Sequence, residues 1–378
     1  MLRHGGERGE KLLENEETEI MLNPYYRAIT VTDNEVYFTP GFRSSYSFNA
    51  IDDKELNLLG KLVEALRKPT TFKELSARLN VEGKNVQELK EIVSNLYKSG
   101  VVCQPSENPT ILYYRMHYDQ VPSLAQKKIT VIGAGPLGSR VISSLLKMNV
   151  GVLKVLDGRK IKDLPREKAL FPYIGVENPE GTSYIELLEH AVGSSQDVKE
   201  RLSFQDIKLN DIQKSANVVE GSDLTIVALE NYQPTFFQQV NTMNLEKRLT
   251  TLFSFVDGNF GVIGPFVIPN ETPCYLCVEQ AYEASVLQSS TFFSVKEYMK
   301  ENERTDKHVV LSGIPPLFDI VSGYVVDNVV RFLIGDVPSA MNRILYVDFE
   351  TLTMDIQDAL RNPRCPACSR LRPPHKVY

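Results

Sequence analysis

No apolar run in the 378 residues approaches the ~20 that a membrane-spanning helix needs. Met1–Glu17 is charged and has no apolar stretch, so it is not a secretory signal, and the chain reads as cytoplasmic. Cations are not in excess: 42 Lys and Arg against 48 Asp and Glu leave a net charge of −6. That balance invites neither a nucleic-acid backbone nor an anionic membrane. Cysteine is scarce, and five in a cytoplasmic chain point to metal or chemistry before disulfides. Internal repeats and low-complexity tracts are also missing. With 42% hydrophobic and 24% charged residues, the composition is that of a globular protein long enough for two or three domains.

Residues 1–24 are polar, with a dense acidic stretch at Glu14, Glu16, Glu17 and Glu19, and read as a flexible tail. Met1 and Met21 are alternative starts. From Ala28 the pattern turns to strands, Ala28–Thr32, Glu35–Thr39 and Ser44–Ala50, with Asp33-Asn34 and Pro40-Gly41 as turns. Three helices follow. Asp52 or Asp53 caps the first, Thr70 or Thr71 opens the second, and the third runs from Lys84 to Ser99 and stops at Gly100. Three strands and three helices in this span predict a winged helix-turn-helix domain over residues 25–105. DNA binding wants a basic reading helix, yet Lys84, Lys90 and Lys98 alternate with Glu88 and Glu91. Two uses remain, a packing scaffold or a third strand whose free edge accepts an extended peptide. Residues 106–127 read as a linker.

Residues 128–378 form an α/β pattern around Lys128–Gly138, an apolar run that breaks into Gly133-x-Gly135-x-x-Gly138 and passes at once into a helix. This is the opening of a Rossmann-type unit, in which glycines let the backbone approach a phosphate at a helix N-terminus. Asp157 closes the next strand, where an acid commonly takes ribose hydroxyls. The run Pro315–Ile334 predicts a long apolar helix, and residues 284–308, polar between aromatic pairs, predict a mobile loop. Cys274-x-x-Cys277 and Cys365-x-x-Cys368 are two pairs suited to one structural Zn²⁺ with no ligand position left open. The competing possibilities are unrelated pairs or redox dithiols. Cys103, alone, reads as a buried core thiol.

The winged-helix region resembles the peptide-recognition domain of ribosomal natural-product biosynthesis, the RiPP recognition element. That resemblance implies a leader peptide lying along Ser44, Ser45, Tyr46, Ser47, Phe48 and Asn49 and against Val86, Lys90, Val93 and Tyr97. The glycine motif, the segment Gly264–Pro269 leading into the first cysteine pair, and the second pair together resemble the ThiF/MoeB family, relatives of ubiquitin-activating enzymes. Working members adenylate a C-terminal carboxylate with ATP and Mg²⁺. Here the family pattern decays. Its second acid falls within Gly158-Arg159-Lys160, its Asn-Leu-x-Arg-Gln segment becomes Asp163-Leu164-Pro165-Arg166-Glu167, its lysine is missing from 175–180, and its metal-binding Asp is Glu230. The resemblance therefore implies a vestigial nucleotide site at Gly133, Gly135, Gly138, Asp157, Arg166 and Glu230, weakened ATP binding and no catalytic residue.

A degenerate ThiF-like domain behind a peptide-recognition domain is similar to the partner proteins of azole-forming cyclodehydratases. This implies a non-catalytic protein that holds a precursor's leader and presents it to a separate YcaO-type enzyme making thiazoline and oxazoline rings, in a bacteriocin-type pathway. It also implies a homodimer. The alternative expectation is an active adenylyltransferase of the ThiF or microcin-maturation type. A nicotinamide oxidoreductase draws only on the glycine motif, and the twin C-x-x-C frame speaks against it.

Overall fold

A computed structural model describes residues 15–54, 56–118, 121–161, 169–172, 181–192, 196–207, 212, 216–287, 289–305 and 312–369. The chain divides into two compact units, Met1–Ser123 and Leu124–Tyr378.

In the first unit, strand β1 (Glu19–Leu22) precedes a three-stranded antiparallel meander of β2 (Arg27–Thr32), β3 (Glu35–Thr39) and β4 (Phe48–Ile51). Helix α1 (Leu59–Ala65), strand β5 (Thr70–Thr71), helix α2 (Phe72–Arg78), helix α3 (Lys84–Lys98), strand β6 (Val102–Cys103) and helix α4 (Pro109–Arg115) complete it. Thr71 caps α2 in a reciprocal capping box with Glu74, satisfying two N–H groups the first turn cannot pair. Beyond α3, Gly100 takes a left-handed φ of 74°, which any side chain would resist. The core joins Val36 and Phe38 of the meander to Leu62, Phe72, Leu75, Leu89 and Val93 of the helices.

Four expectations change here. The tail ends sooner than residue 24, because β1 pairs with β5 and β6 and buries Ile20 completely. Residues 106–127 are not merely a linker. Asn108 caps α4, which buries Leu112 and Tyr114. The third strand spans only Phe48–Ile51: Gly41–Ser44 is a turn closed by Ser44 N–H donating to Gly41 O at 2.9 Å, and Ser45–Ser47 are irregular. Asp52 does not cap α1 itself; its carboxylate accepts from the Lys54 and Leu56 N–H groups just ahead of it.

The second unit runs β7 (Lys128–Ile132), α5 (Pro136–Lys147), β8 (Val152–Leu156), α6 (Tyr184–Val192), α7 (Gln196–Arg201), β9 (Leu202–Gln205) and β10 (Leu224–Leu229). It continues with α8 (Pro234–Lys247), β11 (Thr251–Asp257), β12 (Phe260–Val267), α9 (Tyr275–Ser285), α10 (Ser289–Thr305), α11 (Pro315–Ile334), β13 (Arg343–Asp348) and β14 (Thr353–Asp358). One sheet has the order β14-β13-β12-β11-β10-β7-β8-β9, parallel from β11 to β9 and antiparallel beyond. The chain leaves β7 toward β8 on one side and returns to β10 on the other. That reversal opens a crevice at the carboxyl ends of the strands, the usual ligand position in such sheets. Helix α11 buries Leu317, Phe318, Val321, Val325 and Val329, and Gly261 of β12 is required beneath it: a Cβ there would lie 2.1 Å from Val321 Cγ2. The expected loop at 284–308 is instead helix α10 over most of its length. Among the described residues no helix is long and apolar enough to cross a membrane.

Candidate functional site

The glycine loop sits at the crevice, and its backbone is already engaged by the protein itself. Gly133, with φ 113°, passes so close to β10 that a Cβ would meet Ala228 O at 2.3 Å. Gly138 lets α5 pack on the loop, since a Cβ would meet Gly133 O at 1.9 Å. Gly135 faces a carboxylate of this chain, with Glu230 Oε2 2.3 Å from where its Cβ would be. The Ala134 N–H donates to Asp157 Oδ2 at 2.7 Å. In a phosphate loop these surfaces meet an anion from outside. Here Ala134 and Gly135 meet side chains from the ends of β8 and β10.

Arg159 joins those two acids. Its Nε donates to Asp157 Oδ1 at 3.0 Å and its Nη2 to Asp157 Oδ2 at 2.7 Å, a bidentate fork. Its Nη1 donates to Glu230 Oε1, and the guanidinium lies 4.9 Å over the Tyr184 ring. Asp157 and Glu230 are almost wholly buried. Burial alone would lower the arginine's pKa, but Asp157 and Glu230 hold it well above its ordinary value. One cation faces two acids, and burial pushes Glu230 above the usual carboxylate range, with Arg159 opposing and Asp157 reinforcing the shift. Glu230 Oε2 is buried with no hydrogen-bond partner. Arg166 and residues 175–180 lie outside the described residues. Sequence reasoning noted Arg159 only as the loss of an acid. The signal was its place two residues after a strand-ending acid, close enough to fold back onto it.

The four paired cysteines converge. Cys274, Cys277, Cys365 and Cys368 are buried, with sulfurs all within 4.8 Å of one another. Sγ–Sγ distances of 3.7 Å (274–277), 3.6 Å (274–365) and 3.5 Å (277–368) are near the ~3.8 Å edge of a tetrahedron with 2.3 Å metal–sulfur bonds. The donor set fits a closed metal site. Without a metal, the hydrogen bond from the Cys274 thiol holds the Cys277 sulfur well below the usual thiol range. Arg361 Nε donates to Thr272 O at 3.1 Å, and Asn362 Nδ2 to Gln280 Oε1 at 2.8 Å, tying the second knuckle to α9. Cys103 is buried and its thiol is pushed up to about 12, first by desolvation and then by Glu107, as expected of an inert core group.

A buried ion cluster went unforeseen. Lys296 of α10 reaches Glu279 Oε1 of α9 at 2.6 Å and also pairs with Glu283. Glu279 further accepts from Tyr232 Oη at 2.8 Å and Gln238 Nε2 at 2.9 Å.

In the first unit the expected peptide residues do not all face one place. Strand β4 pairs only with β3, so among the described residues its other edge carries no strand. Asp52 N–H bonds Asn34 O, so by strand alternation Asn49 and Ile51 direct their backbone groups to that free edge. Asn49 is exposed and Phe48 half-buried, while Ser44–Ser47 lead in. Val93, however, is fully buried. Lys90 Nζ pairs with Glu16 at 2.6 Å and lies 5.3 Å over Phe72; the Tyr97 ring stacks on Arg115 at 4.5 Å. Val86 is half-buried on the same side of α3. The side of α3 that meets the chain just after β4 is another one, where Lys54 reaches Glu88 at 3.6 Å and Glu91 at 3.4 Å.

Residues 108–367 match the ThiF family. The chain belongs to the ThiF family. Among solved structures it is similar to Escherichia coli MccB in a crystal with MccA-N7isoASN: TM-score 0.60 at 15% identity, over 93% of this chain and 99% of that one. The E. coli MccB–ATP crystal gives 0.59 at 15% identity, with the same coverage. The heterocyclase TruD gives 0.58 at 13% identity, over 93% of this chain and 43% of TruD. No curated protein matches by sequence. At these identities the likeness extends to the fold, across both units of this ThiF-family chain.

Proposed function

We propose that this ThiF-family chain is a non-catalytic partner subunit. It binds the leader of a ribosomal precursor peptide and presents it to a separate YcaO-type cyclodehydratase in the cytoplasm. The observation that carries the non-catalytic half is the Asp157–Arg159–Glu230 clamp. An arginine held by two buried acids stands where the glycine loop would otherwise meet phosphate, and the loop N–H of Ala134 is already committed. Adenylyl transfer needs cations aimed at the triphosphate, and among the described residues Arg159, the cation at the loop, is held by two acids. The peptide half rests on the free edge of β4, in a first unit read as a winged helix-turn-helix recognition domain over residues 25–105. It is supported by the fold shared with MccB, solved with MccA-N7isoASN, and with the heterocyclase TruD. The metal is read as structural Zn²⁺ within a ThiF-like domain over 128–378, and the chain as a homodimer.

The experiment combines ATP–pyrophosphate exchange with fluorescence polarisation of a labelled synthetic leader from the co-encoded precursor. The expected result is no exchange and saturable binding, weakened at least tenfold by Asn49→Pro, which removes an outward N–H of β4. A second reading, an active adenylyltransferase, is favoured by the MccB–ATP crystal with the same fold. Peptide-dependent exchange would replace the first reading with the second.

A further inference from the structure

Three distant segments of the first unit bring tyrosines together at one end of β4. Tyr46 lies 4.2 Å from His117, His117 lies 4.8 Å from Tyr113, and Tyr113 lies 5.8 Å from Tyr25, each pair edge to face. The three tyrosines keep their surfaces in water, with 38% of Tyr25, 43% of Tyr46 and 45% of Tyr113 exposed. Their backbones are nonetheless fixed. Tyr25 N–H donates to the buried Asn23 Oδ1 at 3.0 Å, and Asn23 Nδ2 donates to Gly100 O at 2.8 Å. Tyr113 is flanked on α4 by the buried Leu112 and Tyr114. A fixed row of exposed rings offers wide contact area with little entropy left to lose, the property that makes tyrosine common at binding hot spots.

Position relative to β4 says what would cover it. Tyr46 lies two residues ahead of Phe48, where β4 begins, so the row adjoins that end of the free edge. A strand added along Asn49 and Ile51 and continued past Phe48 would reach Tyr46. Arg27 and Arg43 stand at the same end of the sheet. Among the described residues neither is ion-paired, and Arg27 lies over the exposed Phe42 ring at 6.0 Å.

We infer that the Tyr25–Tyr113–His117–Tyr46 row is the anchor subsite for the peptide added to β4. It takes one aromatic or long aliphatic side chain, flanked in the peptide by an acidic residue facing Arg27 and Arg43. This inference rests on the peptide-binding reading above. It adds a specificity pocket outside the residues assigned to the groove on α3.

The chain has no tryptophan, so Tyr113→Trp and, separately, Tyr46→Trp place a sole reporter in the row. The labelled synthetic leader is titrated into the full-length, zinc-loaded protein. Tryptophan emission should shift with the same midpoint as the polarisation signal. Tyr46→Ala and Tyr113→Ala should each weaken binding roughly tenfold, the Phe variants less than threefold, and one apolar-to-alanine change in the peptide should reproduce the loss. If polarisation saturates while both reporters stay silent and both alanine variants bind normally, the subsite is wrong and the peptide reading survives. If the emission shifts with protein concentration alone, a second copy of this chain covers the row. If the wild-type protein binds no leader, both ideas fall together.

Discussion

The second unit holds two clusters built from residues far apart in sequence, and they differ in what completes them. At the cysteine cluster four sulfurs converge with no counter-charge among them, a donor set suited to a cation from outside. At the glycine loop two buried acids converge as well, but the chain supplies the cation itself in Arg159. On the reading proposed above, the first site takes its counter-charge from a bound metal, whereas the second has a counter-charge of its own.

The strongest way to break the contrast is to empty the sulfur site. On the proposed reading, elemental analysis should find about one zinc per chain in the wild type and none in Cys365→Ser. Zinc sites are worth on the order of 10 kcal/mol in small domains. Even a fraction of that should lower Tm by well over 10 °C and strip hydrogen-exchange protection from residues 361–369. A variant that keeps its metal and Tm would mean the two pairs are unrelated.

Next in size is Lys296→Met, which leaves Glu279 buried without its cation. Such losses run about 3–5 kcal/mol, read as a denaturant midpoint shift. Double replacement with Glu279→Gln should recover most of the loss.

The glycine loop gives a smaller, more diagnostic effect. Gly135→Ala should destabilise by about 1–3 kcal/mol because its methyl group meets Glu230. Pairing it with Glu230→Ala should relieve the clash. If the single variant instead changes only nucleotide affinity, the loop serves a ligand and the contrast collapses.

Smallest is the titration of Glu230. Its folded pKa lies above the unfolded one, so the stability it contributes is present at low pH and is lost as pH rises through the folded value. Glu230→Gln should therefore flatten the fall in Tm as pH rises above the usual carboxylate range, and be at least as stable as wild type at high pH. A steeper fall would show the carboxylate to be ionised and favourably paired.

How far the sequence disclosed all this followed the range of each signal. Both C-x-x-C pairs and the glycine motif are short, local and constrained by chemistry, so they were legible to the residue, as was the apolar helix Pro315–Ile334. Arg159 was not, because its role depends on β10 returning beside β7 to bring Glu230 within reach, a fact of topology. Helix α10 lacks the apolar period that would mark it as a helix, and among its described side chains the deeply buried one is a lysine, Lys296. On α3 the heptad-like set Val86, Lys90, Val93 and Tyr97 does share a side of the helix, but periodicity could not say that Glu16, Phe72 and Arg115 already occupy it.

The spacing of the sulfurs has a consequence in time. Cys274 and Cys365 are 91 residues apart, as are Cys277 and Cys368. At a synthesis rate of roughly 5–20 residues per second, the first pair emerges from the ribosome about 5 to 18 s before its partners exist. During that interval it is a bare dithiol, exposed to oxidants and to whichever soft metal is most available. Expression under zinc starvation should therefore leave the Cys274 and Cys277 thiols open to alkylation in newly made chains. The age of a chain, not only its fold, decides whether the knuckle can close.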